Sequence, residues 1–150
     1  MLRLSLGLGR HRVLVTQPVS QAVLDRLDCF FEVDLYSDDE PLTRNALRDR
    51  LREKAGLLAT ADDTIDADMI AQLRSLKAVC STSTRHDRLD VMALTQAGVM
   101  VTTTPDHIDT ADKETAALRA AENLIAAFGF GRIGGKPADL VNPELLCDCC

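Results

Sequence analysis

Residues 76–105, LKAVCSTSTRHDRLDVMALTQAGVMVTTTP, restrict the fold more than any other stretch of this chain. Leu76–Ser81 is an apolar, β-prone run. A polar loop follows, then Val91, Leu94 and Ala97 at helical spacing, Gly98 as a helix stop, and Val99–Thr104 alternating as a second strand. Two strands joined by a helix must lie parallel. The right-handed crossover places both strand C-termini on one edge of the sheet, where open α/β folds bind their ligands. Ser83, Thr84, Arg85 and His86 leave the first strand at that edge, and Asp106 and His107 leave the second.

The same alternation continues outward. Arg12–Gln17 reads as a strand stopped by Pro18, and Ser20 caps a helix carrying Val23, Leu24 and Leu27. Phe30–Tyr36 gives another strand, ended by the acidic turn SDDEP. Thr43 caps a helix whose buried stripe is Leu47, Leu51 and Ala55, while Arg44, Arg48 and Arg52 form a solvated basic face. Gly56–Thr60 is a strand apolar enough to be central. Asp66 then caps a helix with Met69, Ile70, Leu73 and Leu76 as its stripe. After Pro105 a polar linker leads to a long helix over 114–128, buried through Leu118, Ala121, Ile125 and Phe128 with Ala117 and Leu124 beside them, and the tail beyond it reads as loop. Five strands alternating with five helices predict an α/β fold: a parallel five-stranded sheet in the flavodoxin-like order 2-1-3-4-5, with helices on both faces. The domain plan is a leader or extension over 1–11, one domain over 12–146 and a Cys-rich tail over 147–150.

Composition narrows the function. A length of 150 residues, 46% of them hydrophobic, suits one domain with a real core. Only 3% are aromatic, which leaves few rings to stack a flavin or unpaired bases, and a net charge of −6 disfavours nucleic acid. No apolar run approaches the ~18–20 residues of a membrane span. MLRLSLGLGRH is basic and free of acids, as in an organelle-targeting leader, although a gene-start or expression extension reads the same way. Buried thiols at Cys29 and Cys80 fit a reducing, cytoplasmic setting. Cys147, Cys149 and Cys150 lack a fourth ligand and a rigid frame for zinc, and are better suited to adventitious disulfides.

Two motifs suggest chemistry that their surroundings do not support. Gly129, Gly131 and Gly134 spell GxGxxG, but a helix precedes them and KPADLVNP follows. A dinucleotide-binding turn needs a strand before and a helix after, so Gly129 reads as a helix C-cap. Asp62 and Asp63 follow the third strand as a phosphoacceptor would, yet Gln17-Pro18 stands where acids would have to hold Mg²⁺.

HRVLVTQPV near the start, STSTRHDRLDVMALTQAGVMVTTTPD in the middle and AAENLIAAFGFGRIGGKPADLVNPELL near the end resemble the D-2-hydroxyacid dehydrogenases, with the glyoxylate, hydroxypyruvate and 2-ketogluconate reductases as the nearest branch. The resemblance implies a flavodoxin-like substrate domain made from the N-terminal half plus the last helix and tail, with a Rossmann domain inserted between them. Here TTTPD reaches what resembles the last helix within ten residues, so the insertion is missing. With it, the resemblance implies, go the NAD(P)H site and the catalytic Arg, Glu and His. Neither His86 nor His107 matches that His. No catalytic residue and no bound cofactor are therefore expected of this chain alone.

The family's loop reads close to S-V-G-x-D-N-x-D and holds a small carboxylate through backbone N–H groups. Its counterparts here are Thr84 and Arg85, followed by His86. Arg in place of Gly crowds the backbone, while its guanidinium offers another partner for an anion. Two functional classes follow. One is an excised or truncated substrate domain, inactive alone, with a polar loop where a partner domain once packed. The other is a half-enzyme that reduces 2-keto acids when a nucleotide domain is supplied in trans. The abrupt junction and polar loop suggest design, with natural truncation the other origin. Loss of the family's usual dimer surface implies a monomer under reducing conditions.

Overall fold

The computed structural model describes residues 10–109, 111–129 and 137–146. Five strands, β1 (Arg12–Val15), β2 (Glu32–Leu35), β3 (Gly56–Ala59), β4 (Ala78–Ser81) and β5 (Met100–Thr102), pair in the order β2-β1-β3-β4-β5. Every pairing is parallel. The helices are α1 (Gln21–Asp28), α2 (Arg44–Leu51), α3 (Ala67–Ile70), α4 (Val91–Gln96) and α5 (Lys113–Ala127), and a 3-10 turn spans Pro143–Leu146. The order predicted from sequence is the order found.

Strand alternation divides the core. Val13, Val15, Leu58, Ala78 and Cys80 point to the face covered by α1 and α5. Leu14, Leu57, Ala59, Val79 and Val101 point to the face covered by α2, α3 and α4. Ser20, Thr43 and Asp66 cap α1, α2 and α3 as expected, each accepting a backbone N–H from the first turn. Arg44 forms a bidentate pair with Asp66 at 2.8 Å, so the basic face of α2 is in part tied to the next helix. Gly98 and Gly129 take φ of +79° and +82° just past α4 and α5, the left-handed conformation that ends a helix.

Several boundaries differ from the sequence reading. α3 is a single turn, and Leu73 and Leu76 reach the core from the turns that follow it. Cys29, expected to be buried, is exposed because it caps the C-terminus of α1, whereas Cys80 is fully buried and its thiol is pushed up to about 12 by that burial. α5 buries the middle of its expected stripe, Ala121 and Ile125, and differs at the two ends. Ala117, Ala120, Ala121 and Leu124 pack on the sheet, and Leu118 and Phe128 stay half-buried at the margin. Small residues are required because the backbone of β3 passes close beneath: a Cβ on Gly56 would lie 2.9 Å from Leu124 Cδ1 and 3.0 Å from Val13 Cγ1.

The tail, read as loop, closes the sheet. Leu140 bridges Thr102 in antiparallel sense and Val141 N–H donates to Val101 O at 2.7 Å. Asn142, 1% exposed, accepts from Val101 N–H at 2.9 Å and donates to Val99 O at 2.8 Å and Thr95 Oγ1 at 2.9 Å. Edge strand β5 is thereby covered. Arg119 on α5 grips Asp139 through two bonds of 2.6 and 2.8 Å, and Asn123 adds a third at 2.7 Å. Burial alone would raise the Asp139 carboxyl. These donors and the nearby Arg119 and His107 outweigh it and hold the group below its usual range.

A second tie joins β1 and β3 where the strand order switches. Asp63, 6% exposed, accepts from the Thr16 hydroxyl, from Thr60 N–H at 2.9 Å and from Thr60 Oγ1 at 3.3 Å. Burial pushes its carboxyl up, the three donors pull it down, Asp62 adds to the rise, and the net shift is upward.

Both ties have measurable consequences. Asn142→Ala strands the Val101 N–H of β5 and the Val99 C=O just before it, and is expected to cost about 2–4 kcal/mol, read as a lower urea midpoint at unchanged slope. A midpoint within error of the parent's would show that the tail does not close the sheet. Because the fold favours protonated Asp63, that contribution is complete below about pH 4, the ordinary carboxyl range, and is lost as pH rises through the raised value. Asp63→Asn keeps the hydrogen bonds without the charge. The variant should therefore gain on the parent in melting temperature between about pH 4 and 7, the gap closing at the lower end; a gap that instead widens toward low pH contradicts the assignment.

Candidate functional site

The loops leaving β1, β3 and β4 surround two clefts that share one wall, Thr60–Asp63. The first, about 240 Å³, lies between that wall and the loop residues Arg85–Leu89, with Ser81 also lining it. The second, about 470 Å³, opens between the wall and the loops carrying Gln17 and Tyr36–Pro41. A bridge between Ile65 and Leu89 fixes the first cleft's width, because Ile65 N–H donates to Arg88 O at 3.1 Å and Asp90 N–H to Ile65 O at 2.9 Å.

Charge separates the two. Among the described residues the second cleft sets Asp38, Asp39, Glu40, Asp62 and Asp63 against a single cation, Lys113, which disfavours a carboxylate. The first sets Arg85, His86 and Arg88 against Asp62, Asp63 and Asp87, and Asp63 is already satisfied within the fold. Of the two, the first suits a small anion better.

The β4 loop is held from below. Ser83 N–H donates to Ser81 Oγ at 3.0 Å, Thr104 N–H to Ser83 O at 2.9 Å and Thr104 Oγ1 to Ser81 O at 3.1 Å. Sequence reasoning assigns no such role to Ser81 and Thr104; their signal is a hydroxyl at the buried end of an otherwise apolar strand. Of the three site residues expected, Arg85 and His86 line the first cleft together, and both are exposed. Thr84 is half-buried and lines neither cleft. Its backbone N–H has no partner among the described residues, whereas that of Arg85 is taken by Ser83 Oγ at 3.0 Å. No described non-glycine residue has positive φ, so Arg85 is held without backbone strain. Its guanidinium lies 3.3 Å from Asp87, both side chains being well exposed, an arrangement worth about 0–1 kcal/mol.

The described residues do not fit a dinucleotide. The turn from β1 to α1 is Gln17-Pro18-Val19-Ser20, without glycine and with a proline that has no N–H to offer a phosphate. Gly129 follows a helix, and Gly131, Gly134 and the cysteines at 147, 149 and 150 lie outside the described residues. Among the described residues no helix is long and apolar enough to cross a membrane.

Known proteins share this architecture. The chain is 29% identical over 128 residues to a glyoxylate reductase of Thermococcus onnurineus, covering 83% of this chain and 38% of that protein. It is 31% identical over 118 residues to a glyoxylate reductase of Korarchaeum cryptofilum, covering 77% and 36%. It therefore spans little more than a third of the length of these relatives. Among solved structures, the TT0316 protein of Thermus thermophilus is similar at a TM-score of 0.61 and 33% identity, covering 77% of this chain and 36% of that one. The NAD+-bound 3-phosphoglycerate dehydrogenase of Entamoeba histolytica, at 0.56 and 16% identity over 81% of this chain and 41% of its own, shares the fold. Residues 13–129 match the model of the D-isomer specific 2-hydroxyacid dehydrogenase catalytic domain, and the chain belongs to that family.

Proposed function

We propose that this chain is a substrate domain of the 2-hydroxyacid dehydrogenase type, which offers a small 2-keto or 2-hydroxy acid the cleft between Thr60–Asp63 and Arg85–Leu89 but does not by itself transfer hydride. The observation that carries this reading is the direct join from β5 to α5 through residues 103–112, with no inserted domain to form the opposite wall of the cleft. Arg85 and His86 are the groups that meet the carboxylate in that cleft, and Thr84 stays outside its lining. NAD(P)H, when a nucleotide domain holds it, supplies the hydride. Holding the two reactants in near contact can account for ~7–11 kcal/mol of such a barrier, and half a cleft open to water cannot supply that.

The surroundings of the cleft support the reading. Among the described residues Met92, 73% exposed, is the one large apolar side chain left in water, so the sheet edge is dressed for solvent rather than for a permanent partner. A monomer under reducing conditions and a cytoplasmic setting, consistent with the buried Cys80 thiol, belong to the same proposal. Whether the arrangement arose by truncation or deliberate excision does not alter it.

The assay follows NADH and NADPH absorbance with glyoxylate, hydroxypyruvate and 2-ketogluconate, beside a fluorescence titration of NADH. The expected result is no saturable turnover and no saturable cofactor binding by the chain alone. Turnover lost in Arg85→Ala or His86→Ala would overturn the proposal. Turnover that appears only on adding an isolated nucleotide domain from a relative would favour the half-enzyme reading.

A further inference from the structure

The opposite edge of the sheet, where the strands begin, carries a different surface. A cleft of about 490 Å³ lies between the start of β1 and the turn before β4, lined by Arg10, His11, Arg12, Arg74 and Lys77 with Glu53 as its one acid. In a chain of net charge −6 this is a concentrated positive patch. Two of its cations are committed: Arg10 donates to the Asp28 carbonyl, and Arg12 pairs with Glu53 at 3.3 Å and Glu32 at 3.5 Å. Arg74 and Lys77 are exposed, and their side chains make no hydrogen bond or ion pair with any described residue.

An apolar groove of about 410 Å³ continues from this cleft, sharing His11 and Lys77 with it and lined beyond them by Met100, Ala127 and Phe128. The His11 ring sits 4.7 Å from that of Phe128 at the junction, and Phe31 braces Phe128 from within at 5.3 Å. A fixed apolar trough thus runs directly into an unpaired positive charge.

We propose that this edge binds a small amphiphilic anion, a carboxylate or phosphate head carried on a short apolar chain. The head meets Lys77 and Arg74, and the chain lies along Met100 and Phe128. Charge complementarity selects this occupant: an uncharged apolar ligand leaves both cations unused, and an inorganic anion leaves the trough wet. A simpler account is that basic side chains merely offset the negative C-terminal ends of α3 and α5. That role requires neither a trough nor two unpaired cations sharing one concavity, and it predicts no ligand.

The test is an NMR titration of the whole chain at low salt with octanoate, octyl phosphate, inorganic phosphate and octanol. One or both amphiphiles should shift the amides of Lys77, Met100 and Phe128 saturably with Kd below about 1 mM, and inorganic phosphate and octanol should bind about tenfold more weakly. The relative strength of octanoate and octyl phosphate identifies the head. Lys77→Glu with Arg74→Glu should weaken amphiphile binding about tenfold, while Arg85→Ala at the other edge leaves it unchanged. Lys77→Gln with Arg74→Gln serves if charge reversal prevents folding. Absence of saturable shifts at this edge, equal binding of octanol, or equal binding by the charge-altered variants would each overturn the proposal.

Discussion

A parallel sheet must be covered on both faces, and here one face depends on how closely α5 can approach β3 and β4. That approach is permitted by Gly56 on the strand and by Ala117, Ala120 and Ala121 on the helix. Helix and strand cannot adjust independently, since a methyl group on Gly56 already meets Leu124 and Val13 at the limit of contact. Once α5 is seated, Arg119 and Asn123 fix Asp139, and the segment behind it is brought alongside β5. Helix packing on one face thus helps to determine how the β5 edge is closed.

The sequence shows what is periodic and hides what is long-range. The apolar runs at Arg12–Gln17 and Gly56–Thr60 and the caps Ser20, Thr43 and Asp66 place strands and helices, and their strict succession points to the sheet order. The two ends of the α5 stripe, Leu118 and Phe128, are misjudged from sequence because hydrophobicity favours them, while close packing favours alanine. Leu140–Asn142 carries no periodic signal between Pro137 and Pro143, and its bonds reach back about 40 residues to β5 and α4. At the candidate site Arg85 and His86 are legible from their position after β4. Asp63 invites reading as an ionised reactive group; its actual role, a buried acceptor for a hydroxyl 47 residues away, leaves no mark in local sequence.

The two edges of the sheet divide the chemistry. Helix N-termini gather at the C-terminal edge, capped by Asp66, Asp90 and Asp112, so acids already occupy much of the edge where open α/β sheets bind ligands. In the cleft beside Arg85 the acids Asp62, Asp63 and Asp87 are offset by Arg85 and Arg88. Helix C-termini gather at the opposite edge, where the cations collect. The C-terminal edge is therefore the less positive of the two in this chain.

Residues 12–109, α5 and residues 137–146 form one cooperative domain rather than a core with an appended helix. Native-state hydrogen exchange measures this directly. Amides of α5 and of Val101 and Val141 should exchange with the same free energy and denaturant dependence as those of Val13–Val15 and Leu57–Ala59. Exchange of α5 and Val141 through a separate, lower-energy opening, with β1 and β3 still protected, would contradict it.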